Sequence, residues 1–197
     1  MKFDPQKHPF DQAQGKHRRS IRLPEYDYSQ PGAYFVTMVT SRRECLFGEI
    51  RNDKMYLNEA GNIVLDVWNS LPARYPMITL GTAVVMPNHF HGIVIINESV
   101  GAIHESPLRE SPLRESPSQE RRTQRRRMTL PLVIGYFKMN SAKQVNKLLN
   151  SSGIPIWQRN YYEHIIRNDD EHNRIHFYIG ANIDNWEDDD ENPNKRS

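Results

Sequence analysis

The chain has 197 residues, which suits one domain better than two, and its hydrophobic share of 37%, about 42% once glycines are added, falls a little short of the ~45–50% of a compact domain, so part of it stands outside the core. One cysteine, Cys45, excludes an intrachain disulfide and a thiolate zinc cluster; the N-terminal residues lack an apolar signal core and no apolar run nears the ~20 residues of a membrane span, so a soluble, cytoplasmic protein is expected. The formal charge of +2 hides segregation: set aside the five consecutive acids at 187–191, and 19 acids face 26 bases, a surplus that favours a polyanionic partner.

Residues 1–30 are polar, basic and punctuated by proline, and read as a flexible arm carrying Arg18, Arg19 and Arg22. The β-branched and aromatic run AYFVTMVTSR (33–42) follows the Pro31-Gly32 turn and predicts a strand. From Asn58, a capping residue, Ile63, Val64, Val67, Trp68 and Leu71 recur at helical spacing, and Pro72 limits the helix. Residues 78–87 and 89–97 predict two strands joined at Pro87-Asn88 as a hairpin. Residues 98–127 repeat ESPLR twice, bury no face, and read as a loop insertion. The insertion ends in a basic run, Arg121, Arg122, Arg125, Arg126 and Arg127, which is either a phosphate-binding patch or a solvated charge run.

A helix is predicted over 128–150, a strand over 156–168, and a last helix capped by Asp169 or Asp170 and running to about Ile183. The order β-α-β-β-α-β-α, with two crossover helices on one antiparallel sheet, predicts an α+β, ferredoxin-like domain over 31–186, followed by an acidic tail at 187–197 without a core-forming pattern.

Two constellations carry chemistry. In Met86-Pro87-Asn88-His89-Phe90-His91-Gly92 the strand alternation turns His89 and His91 to one face and Phe90 to the core. Two imidazoles side by side make half of a divalent-metal site, or else two ordinary surface histidines. In the last helix Tyr178 and Asn182 stand at i and i+4 on one face. An amide oxygen suits Mg²⁺ or Mn²⁺ as a third ligand, and a neighbouring phenol becomes a nucleophile once a base takes its proton or a metal polarises its target; the plainer reading is a core tyrosine and a helix-end asparagine.

Taken together, RRSIRLPEYDYSQPGAYFVTMVT, VMPNHFHGIV, IWQRNYYEHIIRN and YIGAN resemble the REP-associated tyrosine transposases, a branch of the single-tyrosine HUH (His-hydrophobic-His) transposases, over roughly residues 18–186. The ESPLR insertion departs from the shared pattern, as do the residues after Asn182, where the family often continues with Asn-Pro and this chain has Ile-Asp-Asn-Trp. The resemblance implies His89, His91 and Asn182 as metal ligands and Tyr178 as the nucleophile that opens single-stranded or hairpin DNA through a 5′-phosphotyrosine link. It implies strand transfer without a nucleotide cofactor, by monomers or by homodimers that exchange tyrosine helices, for mobility or for genome maintenance. The basic segments, together with Trp157, Tyr161 and Tyr162 as base-stacking groups, suit a nucleic-acid partner. The alternative is a non-catalytic ferredoxin-like module that binds nucleic acid on an open sheet face.

Overall fold

A computed structural model describes residues 26–98 and 128–195. Arg18, Arg19, Arg22, the Arg121–Arg127 run and the ESPLR repeats lie outside the described residues. In chain order the elements are β1 (Gly32–Val39), β2 (Gly48–Arg51), β3 (Lys54–Leu57), α1 (Glu59–Asn69), α2 (Leu71–Arg74), β4 (Ile78–Val85), β5 (His89–Ile96), α3 (Thr129–Leu148), β6 (Tyr162–Ile166) and α4 (Asp169–Ala181). Strands β4, β5, β1 and β6 lie side by side in that order as one antiparallel sheet. This is the α+β arrangement expected, with α1 and α3 as the crossovers.

Strand parity sorts the side chains onto two faces. Tyr34, Val36, Met38, Phe90 and Val94 point to the side covered by α1 and α3, where Val64, Trp68, Val133 and Phe137 complete a dry core. Gly92 belongs to that face too: a Cβ there would meet Trp68 Cζ2 at 2.6 Å, so glycine is what lets the indole lie on the strand. Phe35, Ile93 and Ile166 point to the other side, where Ile175 and Ile179 of α4 cover them.

Several boundaries differ from expectation. A short β2–β3 hairpin precedes α1, turned by Asn52 and Asp53 with φ of 49° and 55°, the pair of positive angles that a two-residue hairpin loop needs. The last helix is capped by Asn168, whose side chain accepts from Glu171 N, rather than by Asp169 or Asp170. Only Tyr162–Ile166 of the predicted fourth strand pairs along β1. Trp157 forms an isolated bridge to Thr40, and its ring is core rather than a stacking surface: it is buried against Phe47 and Phe137, with Nε1 donating to Ser141 Oγ at 2.9 Å. Residues 26–30 are not a loose arm, since Tyr28 is buried and its carbonyl accepts from Leu130 N at the start of α3.

Candidate active site

The site forms at the end of the sheet where β5 begins. His89 and His91 leave β5 on the α4 side with ring centroids 4.7 Å apart. They are not surface histidines: they are 0% and 3% exposed. His91 lies across from Thr37 in the register, and its Nδ1 is 2.7 Å from Thr37 Oγ1. Phe35, two residues along β1, stacks on the same imidazole at 5.5 Å.

His89 is oriented by Asn88. The Asn88 amide nitrogen donates to Arg43 O at 3.0 Å and to Glu191 O at 2.6 Å, which fixes the direction of the amide. Its oxygen then faces His89 Nδ1 at 2.9 Å. An amide oxygen only accepts, so Nδ1 donates to it, and the other ring nitrogen is Nε2. That nitrogen lies 3.9 Å from Asp189 Oδ2. Asn88 and Thr37 were not singled out from sequence as site residues. Position could have found them, because one adjoins the His-x-His motif and the other stands opposite His91 on the strongest predicted strand.

Helix α4 brings the second half. Its apolar positions Ile175 and Ile179 dock on Phe35 and Ile93, and this sets Tyr178 toward the histidines, its ring 5.4 Å from that of His91 and 6.0 Å from that of Phe35. Burial pushes the Tyr178 phenol well above its ordinary pKa, and the Asp189 carboxylate adds to the effect, while the Asn182 side chain opposes it. The phenol is therefore protonated at neutral pH. Asn182 is the C-cap of α4, 3% exposed, and its Nδ2 donates to Tyr178 O at 2.6 Å. The helix spacing read from sequence thus places Tyr178 and Asn182 together. Tyr161 and Tyr162 do point apart: Tyr161 packs with the α1/α3 core and Tyr162 with the α4 cluster.

Among the described residues no three His, Cys, Asp or Glu side chains gather closely enough to hold a metal ion by themselves. A divalent ion here would need the Asn182 amide oxygen or water beside the two imidazoles. The donor chemistry is compatible with that requirement: the Nδ1 contacts aim the rings, and the Asn182 nitrogen donates to a carbonyl, so its oxygen would be the atom offered to an ion.

The acidic segment is part of this site. Residues Trp186–Asp188 form a short 3-10 turn, the Trp186 ring stands 6.0 Å from that of His89, and Glu191 reaches back to Arg43 and Asn88. The described part of the expected tail is thus folded onto the histidines.

No family model matches the chain. An uncharacterized protein of Haemophilus influenzae is 40% identical over 173 residues, spanning 88% of this chain and 92% of that protein, and this chain belongs to its family. Among solved structures, a REP-associated tyrosine transposase bound to a REP hairpin is similar at 19% identity and a TM-score of 0.44, over 84% of this chain and 74% of that one. A candidate transposase of Deinococcus radiodurans is similar at 13% identity and a TM-score of 0.43, over 81% and 95%. Among the described residues no helix is long and apolar enough to cross a membrane.

Proposed function

We propose that the protein is a metal-dependent single-stranded DNA endonuclease and strand transferase of the transposase type, acting at hairpin-forming DNA with Tyr178 as nucleophile. The observation that supports this reading best is convergence: His89 and His91 from β5 meet Tyr178 and Asn182 from α4 at one end of the sheet, although the two elements are far apart in sequence.

In this reading Tyr178 Oη attacks the scissile phosphorus in line. The P–O3′ bond breaks as the Oη–P bond forms, and the proton lost by the phenol is balanced by the one the departing 3′-oxygen takes up through solvent. The 5′-phosphate stays on the tyrosine, and attack by another 3′-hydroxyl reverses the step and joins the strands. A Mg²⁺ or Mn²⁺ ion held by His89, His91 and Asn182 supplies polarisation of the scissile phosphate when bound. The chain's own contribution is positioning. Asn88 and Thr37 fix the imidazoles, and the α4–sheet contact fixes the phenol. The binding-module alternative loses ground because α4 lies over the sheet face that a stacking platform would use.

The test is incubation of the full chain with a pool of labelled single-stranded hairpin oligonucleotides and Mn²⁺ or Mg²⁺. A covalent protein–DNA band is expected, with mass spectrometry placing the nucleotide on Tyr178. An adduct on Tyr161 or Tyr162, or no adduct with any hairpin, would overturn the reading.

A further inference from the structure

The loop that leads into β6 is held by its carbonyls. Lys138 Nζ, on α3, donates to Gln158 O at 2.6 Å, Arg159 O at 3.1 Å and Asn160 O at 3.3 Å. One helical turn on, Ser141 Oγ accepts from Trp157 Nε1 at 2.9 Å, so one face of α3 grips the loop at two points. From the sheet side, Gln158 N donates to Val39 O at 2.9 Å and Gln158 Nε2 donates to Thr40 O at 3.3 Å. The peptides here are trans, with C=O and N–H on opposite sides of each plane. Carbonyls that converge on one ammonium therefore turn the N–H groups of Arg159 and Asn160 away from it. The side chains of Gln158, Arg159 and Asn160 are all exposed, and among the described residues no carboxylate pairs with the Arg159 guanidinium.

We propose that residues 158–160 form a phosphate subsite for the DNA strand, with Arg159 as the binding residue and Lys138 as the residue that positions it. The inference rests on the function proposed above and adds a binding element to it. Outward backbone N–H groups beside a guanidinium fork are the donors that a phosphate diester accepts from. The place fits as well. Gln158 and His89 flank Val39 on either side of β1, so two strand spacings put them about 10 Å apart at the same end of the sheet. An ammonium that faces three carbonyls is a latch rather than a contact, and its effect on the strand runs through the loop it holds. A loop fixed in this way is ordered before the strand arrives, which lowers the entropy lost on binding.

The experiment measures binding of a labelled single-stranded hairpin oligonucleotide to the full chain by fluorescence anisotropy, in chelator to prevent cleavage, from about 50 to 200 mM salt. Arg159→Gln should weaken binding about three- to tenfold at the lowest salt and lower the slope of log K against log salt by about 0.7. Arg159→Lys should also bind more weakly, with the slope unchanged, because it keeps the charge and loses the fork. Lys138→Met should weaken binding by a similar factor with the same fall in slope, which a merely structural role would not move. Combined with Arg159→Gln it should add nothing. Melting curves of each variant report folding. If Lys138→Met does not fold, Lys138→Gln takes its place with the same expectation. A folded Arg159→Gln variant with wild-type affinity and slope overturns the subsite while leaving the adduct test above untouched. A folded Lys138 variant that binds as wild type, or whose loss multiplies that of Arg159→Gln, overturns the positioning role. Wild-type chain that binds no oligonucleotide overturns both this proposal and the proposed function.

Discussion

The two faces of the sheet are built by the same strands and do different work. On the α1/α3 face, Tyr34, Val36, Met38, Phe90 and Val94 are fully buried under Trp68 and Phe137. On the α4 face the apolar contact of Phe35 and Ile93 with Ile175 and Ile179 stops short, and toward the start of β5 it gives way to Thr37, His91, His89 and Tyr178. Along β5 the alternation is literal, with His89 and His91 on one side and Phe90 and Gly92 on the other. The period of two thus separates chemistry from stability within four consecutive residues. Substitutions on one side should alter the reaction in molecules that still fold. Substitutions on the other should alter how many molecules fold.

The strongest way to break this division is on the chemical face. Tyr178→Phe removes one hydroxyl and should abolish nicking and the covalent adduct, a loss of at least about a thousandfold, with hairpin affinity and melting temperature near wild type. His89→Ala and His91→Ala should also abolish cleavage, but not silently. Both rings are buried and hydrogen-bonded, so each variant should lose about 1–3 kcal/mol in chemical denaturation as Asn88 Oδ1 or Thr37 Oγ1 loses its partner. Full cleavage by either variant would remove the metal from the reading.

The opposite face supplies the control. Phe137 is fully buried against Trp68, Phe90 and Trp157, and Phe137→Ala should cost about 3–5 kcal/mol in urea unfolding, with cleavage per folded molecule unchanged. Gly92→Ala is smaller. Its new methyl would stand 2.6 Å from Trp68 Cζ2 and 2.8 Å from Phe90 Cε1, and forcing those rings apart should cost about 1–3 kcal/mol. A Gly92→Ala variant that lost cleavage at full stability would mean that the two faces are coupled through the strand.

Much of the architecture was legible because it is written locally. The hairpin of β4 and β5, the cap at Asn58 and the pairing of Tyr178 with Asn182 each follow from spacing within a few residues. The β2–β3 hairpin was missed although Asn52-Asp53 is a turn signal, because its strands are four residues long and half exposed, with little apolar alternation to see. Burial of the histidines was missed for another reason. What covers them is a run of acids that carries no periodicity, and its fold depends on contacts made at a distance: Glu191 with Arg43 and Asn88, and Asp189 with His89. Charge alone marked that run as solvated tail. Its partners come from two separate stretches of chain, around Arg43 and at Asn88-His89, and no local pattern records them.

The smallest expected effect tests how α4 is fastened to the sheet. Glu171, in its first turn, accepts from Arg167 N at 2.7 Å and lies 2.8 Å from His164 Nε2 on β6. Burial pushes His164 below its ordinary pKa, the nearby Arg167 and Arg174 add to this, and the Glu171 carboxylate pulls the other way. Burial alone would raise Glu171, but its hydrogen bonds from Arg167 N and His164 outweigh that and hold it low. Both folded-state values lie below their unfolded ones, so both groups stabilise the fold at neutral pH and withdraw that support on acidification. His164 withdraws it first, as pH falls from about 6.5 through its lowered value, and Glu171 follows below about 4.5. Glu171→Gln keeps an acceptor for Arg167 N and removes the charge. Without the carboxylate, His164 should resist protonation more strongly. The variant's melting temperature should then fall more steeply than wild type between pH 6.5 and 5, and less steeply below 4.5. Taking the difference between the two proteins cancels the opposite-signed contributions of Asp189 and Glu191, whose burial raises their values. A gap between the two melting curves that stays constant from pH 7 to 3.5 would show that Glu171 fastens the helix by shape alone.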